Sequence, residues 1–141
     1  LRYLGERVAA ALRHEEKRAG CVTITVRYAD FHTISRSRKL KQPVESDEAI
    51  FRLGASLMQE LLKDPRAVRL IGIGVAALVP GKQLSLMTDE AERKGKLAHA
   101  VDAVRRKHGY MALQTGRTFL LRGAFPSDER GYILKTPSLS R

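Results

Sequence analysis

Val22-Thr23-Ile24-Thr25-Val26-Arg27-Tyr28, then Ala29-Asp30, then Phe31-His32-Thr33-Ile34-Ser35-Arg36-Ser37-Arg38-Lys39-Leu40 is the stretch on which the reading of the chain turns. Side chains on a strand alternate between the two sheet faces, so Val22, Ile24, Val26 and Tyr28 form an apolar row and Thr23, Thr25 and Arg27 a polar one. That is a half-buried strand. Two residues, Ala29 and Asp30, suffice for a tight turn, and the β-branched, basic run from Phe31 to Leu40 reads as its antiparallel neighbour.

On the N-terminal side Leu1, Leu4, Val8, Ala11 and Leu12 recur at helical spacing, with Gly20 as the stop. On the C-terminal side Gln42-Pro43 breaks the second strand, and Ser46 or Asp47 caps a helix carrying Ile50, Leu53, Leu57, Leu61 and Leu62. Val68 to Leu78 is a third strand-like run, whose Gly72 and Gly74 leave one face bare. The order helix, strand, strand, helix, strand predicts an α+β fold: a mainly antiparallel sheet of the four-stranded type, two helices on one face, and the other face open. The fourth strand would lie ahead of Leu1. A third helix is predicted to Gly109, with Leu97, Val101, Val104 and His108 on its inner face, followed by a weakly structured tail from Tyr110 to Arg141. The organisation is thus 1–80 for the sheet domain, 81–88 for an extended peptide, 89–109 for the third helix and 110–141 for the tail.

The 141 residues carry 26 Lys and Arg against 15 Asp and Glu, a formal charge of +11, with a pI near 10.3. Such an excess selects a polyanionic partner, nucleic acid first. No apolar run reaches the roughly 20 residues of a spanning helix, so no membrane role is expected, and the protein is read as cytoplasmic. Cys21 is the one cysteine and reads as a buried thiol. The chain opens at Leu1 inside a helical pattern and is read as a fragment of a longer protein.

Ser35, Arg36, Ser37, Arg38, Lys39 and Lys41 put four cations and two hydroxyls on one strand with no acid among them. Forked guanidinium donors and short neutral donors suit phosphate oxygens and read no bases. Parity qualifies this: Arg36 and Arg38 share a face with Ile34 and Leu40, whereas Thr33, Ser35, Ser37 and Lys39 share the other. Either the hydroxyl face meets DNA while the arginines lean round from the edge, or a bulge resets the alternation. An ordinary solvated charged strand accounts for the run equally well.

The segment Val26 to Arg38, with Val68-Arg69-Leu70-Ile71-Gly72-Ile73-Gly74-Val75 after it, resembles the little-finger domain of Y-family translesion DNA polymerases of the bacterial DNA polymerase IV kind (the ImpB/MucB/SamB family). The resemblance runs from Leu1 to about Met87. It implies sequence-indifferent contacts to the phosphates of primer–template DNA within an error-prone polymerase of DNA repair. Ser35, Arg36, Ser37 and Arg38 match the family's basic hairpin strand and Arg69 the arginine that opens its third strand, although Leu70 and Gly74 stand where some members carry basic residues; Thr33 and Lys39, which share the hydroxyl face, complete the expected DNA-binding set. Gln83-Leu84-Ser85-Leu86-Met87 resembles the peptide that binds the sliding β-clamp, with Met87 where an aromatic is commoner. Gln83 would satisfy buried polar groups while Leu86 and Met87 fill an apolar pocket; alternatively Leu84 and Leu86 only pack the chain's exit from the sheet.

Catalysis is expected elsewhere in such a polymerase. Its two divalent ions need clustered carboxylates, and the acids here form adjacent pairs such as Glu15-Glu16, Asp47-Glu48, Asp89-Glu90 and Asp128-Glu129 that read as helix-end or turn residues. His14, His32, His99 and His108 lack ligand spacing. The reading is therefore no catalytic residue, no metal and no cofactor in this stretch, with magnesium held by domains N-terminal to it; whether the chain dimerises stays open. Two other readings stand: a polymerase-like clamp adaptor without catalytic carboxylates, and a basic RNA-binding α+β module. The absence of a paired aromatic motif counts against the second.

Overall fold

The computed structural model describes residues 1–63, 65–81 and 89–133. In chain order these form α1 (Arg2–His14), β1 (Lys17–Tyr28), β2 (Thr33–Val44), α2 (Asp47–Leu61), β3 (Val68–Pro80), α3 (Asp89–His108), a 3-10 turn (Tyr110–Ala112) and the short α4 (Gly116–Phe119). The chain divides into two compact units, Leu1–Leu86 and Met87–Arg141. No helix among the described residues is long and apolar enough to cross a membrane.

The first unit is α+β, as expected, but among the described residues its sheet has three antiparallel strands in the order β2-β1-β3. The four-stranded expectation drew its extra strand from residues ahead of Leu1; pairing within the chain begins at Lys17. Val22, Ile24, Val26 and Tyr28 are fully buried beneath the helices, each apolar side chain stabilising the fold by about 1.5–3 kcal/mol. Ile24, Val26 and Tyr28 pack with Leu57 of α2, while Ala9 and Leu12 of α1 pack with Ala19 and Ile50; Ile73 touches both groups. Gly54 lets α2 sit low on the sheet, because a Cβ there would lie 3.1 Å from Ile73 Cδ1 and 3.2 Å from Ile24 Cδ1. The Ser46 hydroxyl caps α2, accepting from the Ala49 N–H at 3.2 Å. At the other end the Tyr28 hydroxyl donates to the Leu61 carbonyl at 3.1 Å, satisfying a carbonyl that the last turn leaves unpaired.

Three boundaries differ from those the sequence predicts. The helix stops at His14, because the chain reverses through Glu16 in the left-handed region (φ 50°), and β1 starts at Lys17. Gly20 is therefore a strand residue, and a Cβ there would stand 2.8 Å from the Ala77 carbonyl oxygen. Gln42-Pro43 does not end β2. Ala19 pairs with Val44 and Cys21 with Lys39, so residues 40–43 form an excess opposite Gly20. Proline, which donates nothing to a ladder, is tolerated in such an irregular edge. The hairpin turn is longer than two residues: Phe31 takes φ 65°, and β2 begins at Thr33.

In the second unit the inner face assigned to the third helix is not the buried one. Leu97 and Val104 are exposed, while Arg105 is buried. The Arg105 Nε donates to the Leu113 carbonyl at 2.8 Å, and its guanidinium lies 4.5 Å over the Tyr110 ring. Gly109 (φ 87°) turns the chain so tightly that a Cβ would come within 2.6 Å of the Arg130 carbonyl oxygen. Tyr110 is buried beside Tyr132, ring centres 5.6 Å apart, and Asp128 Oδ1 accepts from the Arg130 and Tyr132 N–H groups at 3.0 and 2.8 Å. Within the stretch expected to be weakly structured, Tyr110, Leu113 and residues 128–132 are thus joined, and Gly116–Phe119 forms α4. Helical periodicity looks for apolar side chains, whereas this helix is held at its end by a guanidinium.

Exposed ion pairs give the fold an acid limit. The Arg2 guanidinium, then that of Arg52, holds the Glu48 carboxyl below the usual carboxylate range, and the His32 N–H, then Arg66, does the same to Asp30. Because these pKa values fall on folding, their stabilisation is complete above the unfolded values of about 4 and is lost as pH falls through the folded ones. The melting temperature is expected to be level from about pH 7 to 5 and to drop from about pH 5 to 3, as followed by circular dichroism. A flat profile to pH 3 would contradict the assignment.

Candidate nucleic-acid interface

Alternation along β1 turns Thr23, Thr25 and Arg27 away from the helices. The β1–β2 register places Ser37 opposite Thr23, Ser35 opposite Thr25 and Thr33 opposite Arg27. The Thr23 and Ser37 hydroxyls are 2.8 Å apart, those of Thr25 and Ser35 are 2.9 Å apart, and the Arg27 Nε donates to the Thr33 hydroxyl at 2.9 Å. A hydroxyl pair uses one of its two protons internally, so each of the two pairs keeps one O–H for an incoming acceptor. Lys39, opposite Cys21, continues the row, and Cys21, expected as a buried thiol, is only half-buried because the alternation of β1 puts it on this face.

On the other side of β1, Gly72 stands opposite Thr25 and Gly74 opposite Thr23. A Cβ at Gly74 would meet nothing within 4 Å, and one at Gly72 only Thr25. The face is consequently low and open across β3, with backbone within reach of a bulky ligand. Positions 21, 23, 25 and 27 of β1, 33, 35, 37 and 39 of β2, and 70, 72, 74 and 76 of β3 include no acid.

Thr33, Ser35, Ser37 and Lys39 therefore lie together on the open face. Arg36 and Arg38 do not. The register from Thr33 to Lys39 is regular, so no bulge resets the alternation there, and both arginines lie on the helix side beside α2. Arg38 Nη2 is 2.8 Å from Glu60 Oε1, Arg38 Nη1 donates to the Ser56 hydroxyl at 3.3 Å, and Arg36 Nη1 bonds Glu60 Oε2. The Arg36 hydrogen bond and the two positive charges hold the Glu60 carboxyl below the ordinary range. Even so, the Arg36 and Arg38 side chains are 53% and 42% exposed, so the edge of β2 still presents them to solvent.

Arg69 occupies the irregular start of β3, where Tyr28 pairs with Val68 and Arg27 with Leu70. Its guanidinium lies 4.8 Å over the ring of Phe31 in the hairpin turn, a cation–π contact at the same end of the sheet as Arg27. Thr23, Thr25 and Arg27 belong to the face although the sequence singles out site residues only on β2 and at Arg69. Their signal was present, since the alternation that buries Ile24 and Val26 requires them to face outward. Gln83, Leu84, Leu86 and Met87 lie outside the described residues. Among the described residues no group of three or more His, Cys, Asp or Glu could hold a metal ion.

A face of hydroxyls and cations without acids, next to bare backbone, suits a chain of phosphates. Against known proteins, the chain is 40% identical over 127 residues to a DNA polymerase IV of Dehalococcoides mccartyi, covering 89% of this chain and 32% of that protein. The chain thus spans about a third of the length of this relative. Two solved structures are similar to it: an insertion ternary complex of Dbh DNA polymerase (22% identity, TM-score 0.48, 55% of this chain and 23% of the other) and a complex of the beta-clamp processivity factor with the little finger domain of PolIV (19% identity, TM-score 0.39, 60% and 72%). The sequence model of the impB/mucB/samB family C-terminal domain matches residues 1–87, and the chain belongs to that family.

Proposed function

We propose that this chain grips the phosphate backbone of primer–template DNA, without reading its sequence, as part of an error-prone translesion polymerase of the cytoplasm. The observation that carries the reading is the acid-free open face of the sheet, with its paired hydroxyls, Arg27 and Lys39 beside the glycines of β3. A β2 row from Thr33 to Lys39 runs about 20 Å, enough to follow several consecutive phosphates of one strand. Family membership and the DNA polymerase IV relatives support assigning the grip to a polymerase. The nucleotidyl transfer and its magnesium ions belong, on this reading, to domains of the whole polymerase. Gln83, Leu84, Leu86 and Met87 would tether it to the sliding clamp.

Fluorescence anisotropy of a labelled primer–template DNA titrated with the chain tests the grip. Log affinity is expected to fall linearly with log salt, with a slope of roughly −3 to −5, as three to five phosphates lose counterions. Duplexes of unrelated sequence should bind alike. Affinity that ignores salt, or no binding at low salt, overturns the proposal.

A further inference from the structure

We infer that Glu60 is a resident substitute for a DNA phosphate: its carboxylate occupies an anion site made by Arg36 and Arg38, with Ser56 holding the Arg38 guanidinium, and a backbone phosphate of bound DNA displaces it. The inference rests on the DNA-gripping function proposed above.

Two guanidinium groups converge on one carboxylate, and the Ser56 hydroxyl accepts from one of them. Arg36 and Arg38 are two residues apart on one face of β2, hence about 7 Å apart along the strand, with Glu60 reaching both. The forked donors that hold a carboxylate are the same ones that hold a phosphodiester. The site is also open, because both arginines are about half exposed and Glu60 is 34% exposed. Exposed ion pairs are weakly held, so exchanging one anion for another is not prohibitive.

The position of Glu60 within its helix points the same way. It lies in the last turn of α2, where the helix dipole disfavours negative charge, and that turn contains no basic residue of its own. The helix alone gives no reason for an acid here; the reason is the pair of arginines across the gap. By neutralising them while no DNA is bound, Glu60 lowers affinity. It keeps the grip weak enough to release, without removing the cations that a phosphate will meet.

The test uses the whole chain, the same labelled primer–template and several salt concentrations, with four proteins: wild type, Glu60→Gln, the Arg36→Ala/Arg38→Ala pair, and the triple variant. Glutamine keeps the shape and removes the charge, and thermal melts establish that each variant is folded. Glu60→Gln is expected to bind about three- to tenfold more tightly at low salt, with the gain shrinking as salt rises. In the arginine-free background the same substitution should bring no gain, because the site it unblocks is gone. If the wild type binds but Glu60→Gln binds equally or less well, or gains as much without the arginines, the displacement mechanism is wrong while the DNA grip stands. If no folded protein binds, the grip itself fails and this inference with it.

Discussion

Replacing Ser35 and Ser37 together by aspartate is expected to weaken binding to primer–template DNA by about a hundredfold at moderate salt. Both residues are exposed on the open face, and each takes part in a hydroxyl pair with a threonine of β1. On the proposed grip, aspartate there would replace a donor by a negative charge facing the phosphates, and like charges brought together at an interface cost several kcal/mol, where 1.4 kcal/mol is tenfold. The fold should tolerate the change, since the threonine hydroxyls can donate to the new carboxylates and no apolar contact is lost. Anisotropy titration gives the affinity and circular dichroism the fold. A folded double variant that binds within about threefold of wild type would show that DNA does not lie on this face. That outcome would move the binding surface to the arginine edge of β2.

Ile24→Ala is expected to destabilise the first unit by about 3–4 kcal/mol, lowering its melting temperature by roughly 15–25 °C. Ile24 is fully buried, packs with Leu57 and Tyr28, and its Cδ1 fills the space that a side chain at Gly54 would otherwise take. Because α2 is side-chain-free at Gly54, nothing there can swing into the hole, so the cavity cost is added to the lost transfer free energy. The neighbouring Thr25→Ala should cost less than about 1 kcal/mol, since Thr25 faces the open side and loses one exposed hydroxyl contact. Denaturant unfolding compares the two. A loss below about 1 kcal/mol for Ile24→Ala would mean that α2 is not seated against β1 at Gly54.

Ile24 and Thr25 are adjacent in the chain and lie on opposite faces, a division that the order of residues along β1 dictates. The alternation of Val22, Ile24, Val26 and Tyr28 identifies the buried row, and by exclusion the open one. It also sets Thr33, Ser35, Ser37 and Lys39 apart from Arg36 and Arg38. Less is legible in the sequence wherever the outcome depends on a partner distant in the chain. The start of β1 depends on how the chain turns at Glu16, and Gly20 belongs to the strand because Ala77 crosses against it. Pro43 stays in β2 because residues 40–43 loop out opposite Gly20, an accommodation that a local breaker rule does not foresee.

The face on which each strand residue lies follows from backbone stereochemistry, which repeats every two residues whatever surrounds it. Thus the hydroxyl row, the acid-free face and the positive charge are properties of the amino-acid order alone. The meeting of Arg36 and Arg38 with Glu60 is not, since it depends on where the axis of α2 crosses the sheet, and that crossing depends on Gly54 resting on Ile24 and Ile73. Nor is the burial of Arg105, which requires the chain beyond Gly109 to return and bring Leu113 and Tyr110 against it. Both arginine sites join residues through packing geometry, and no local periodicity encodes that geometry.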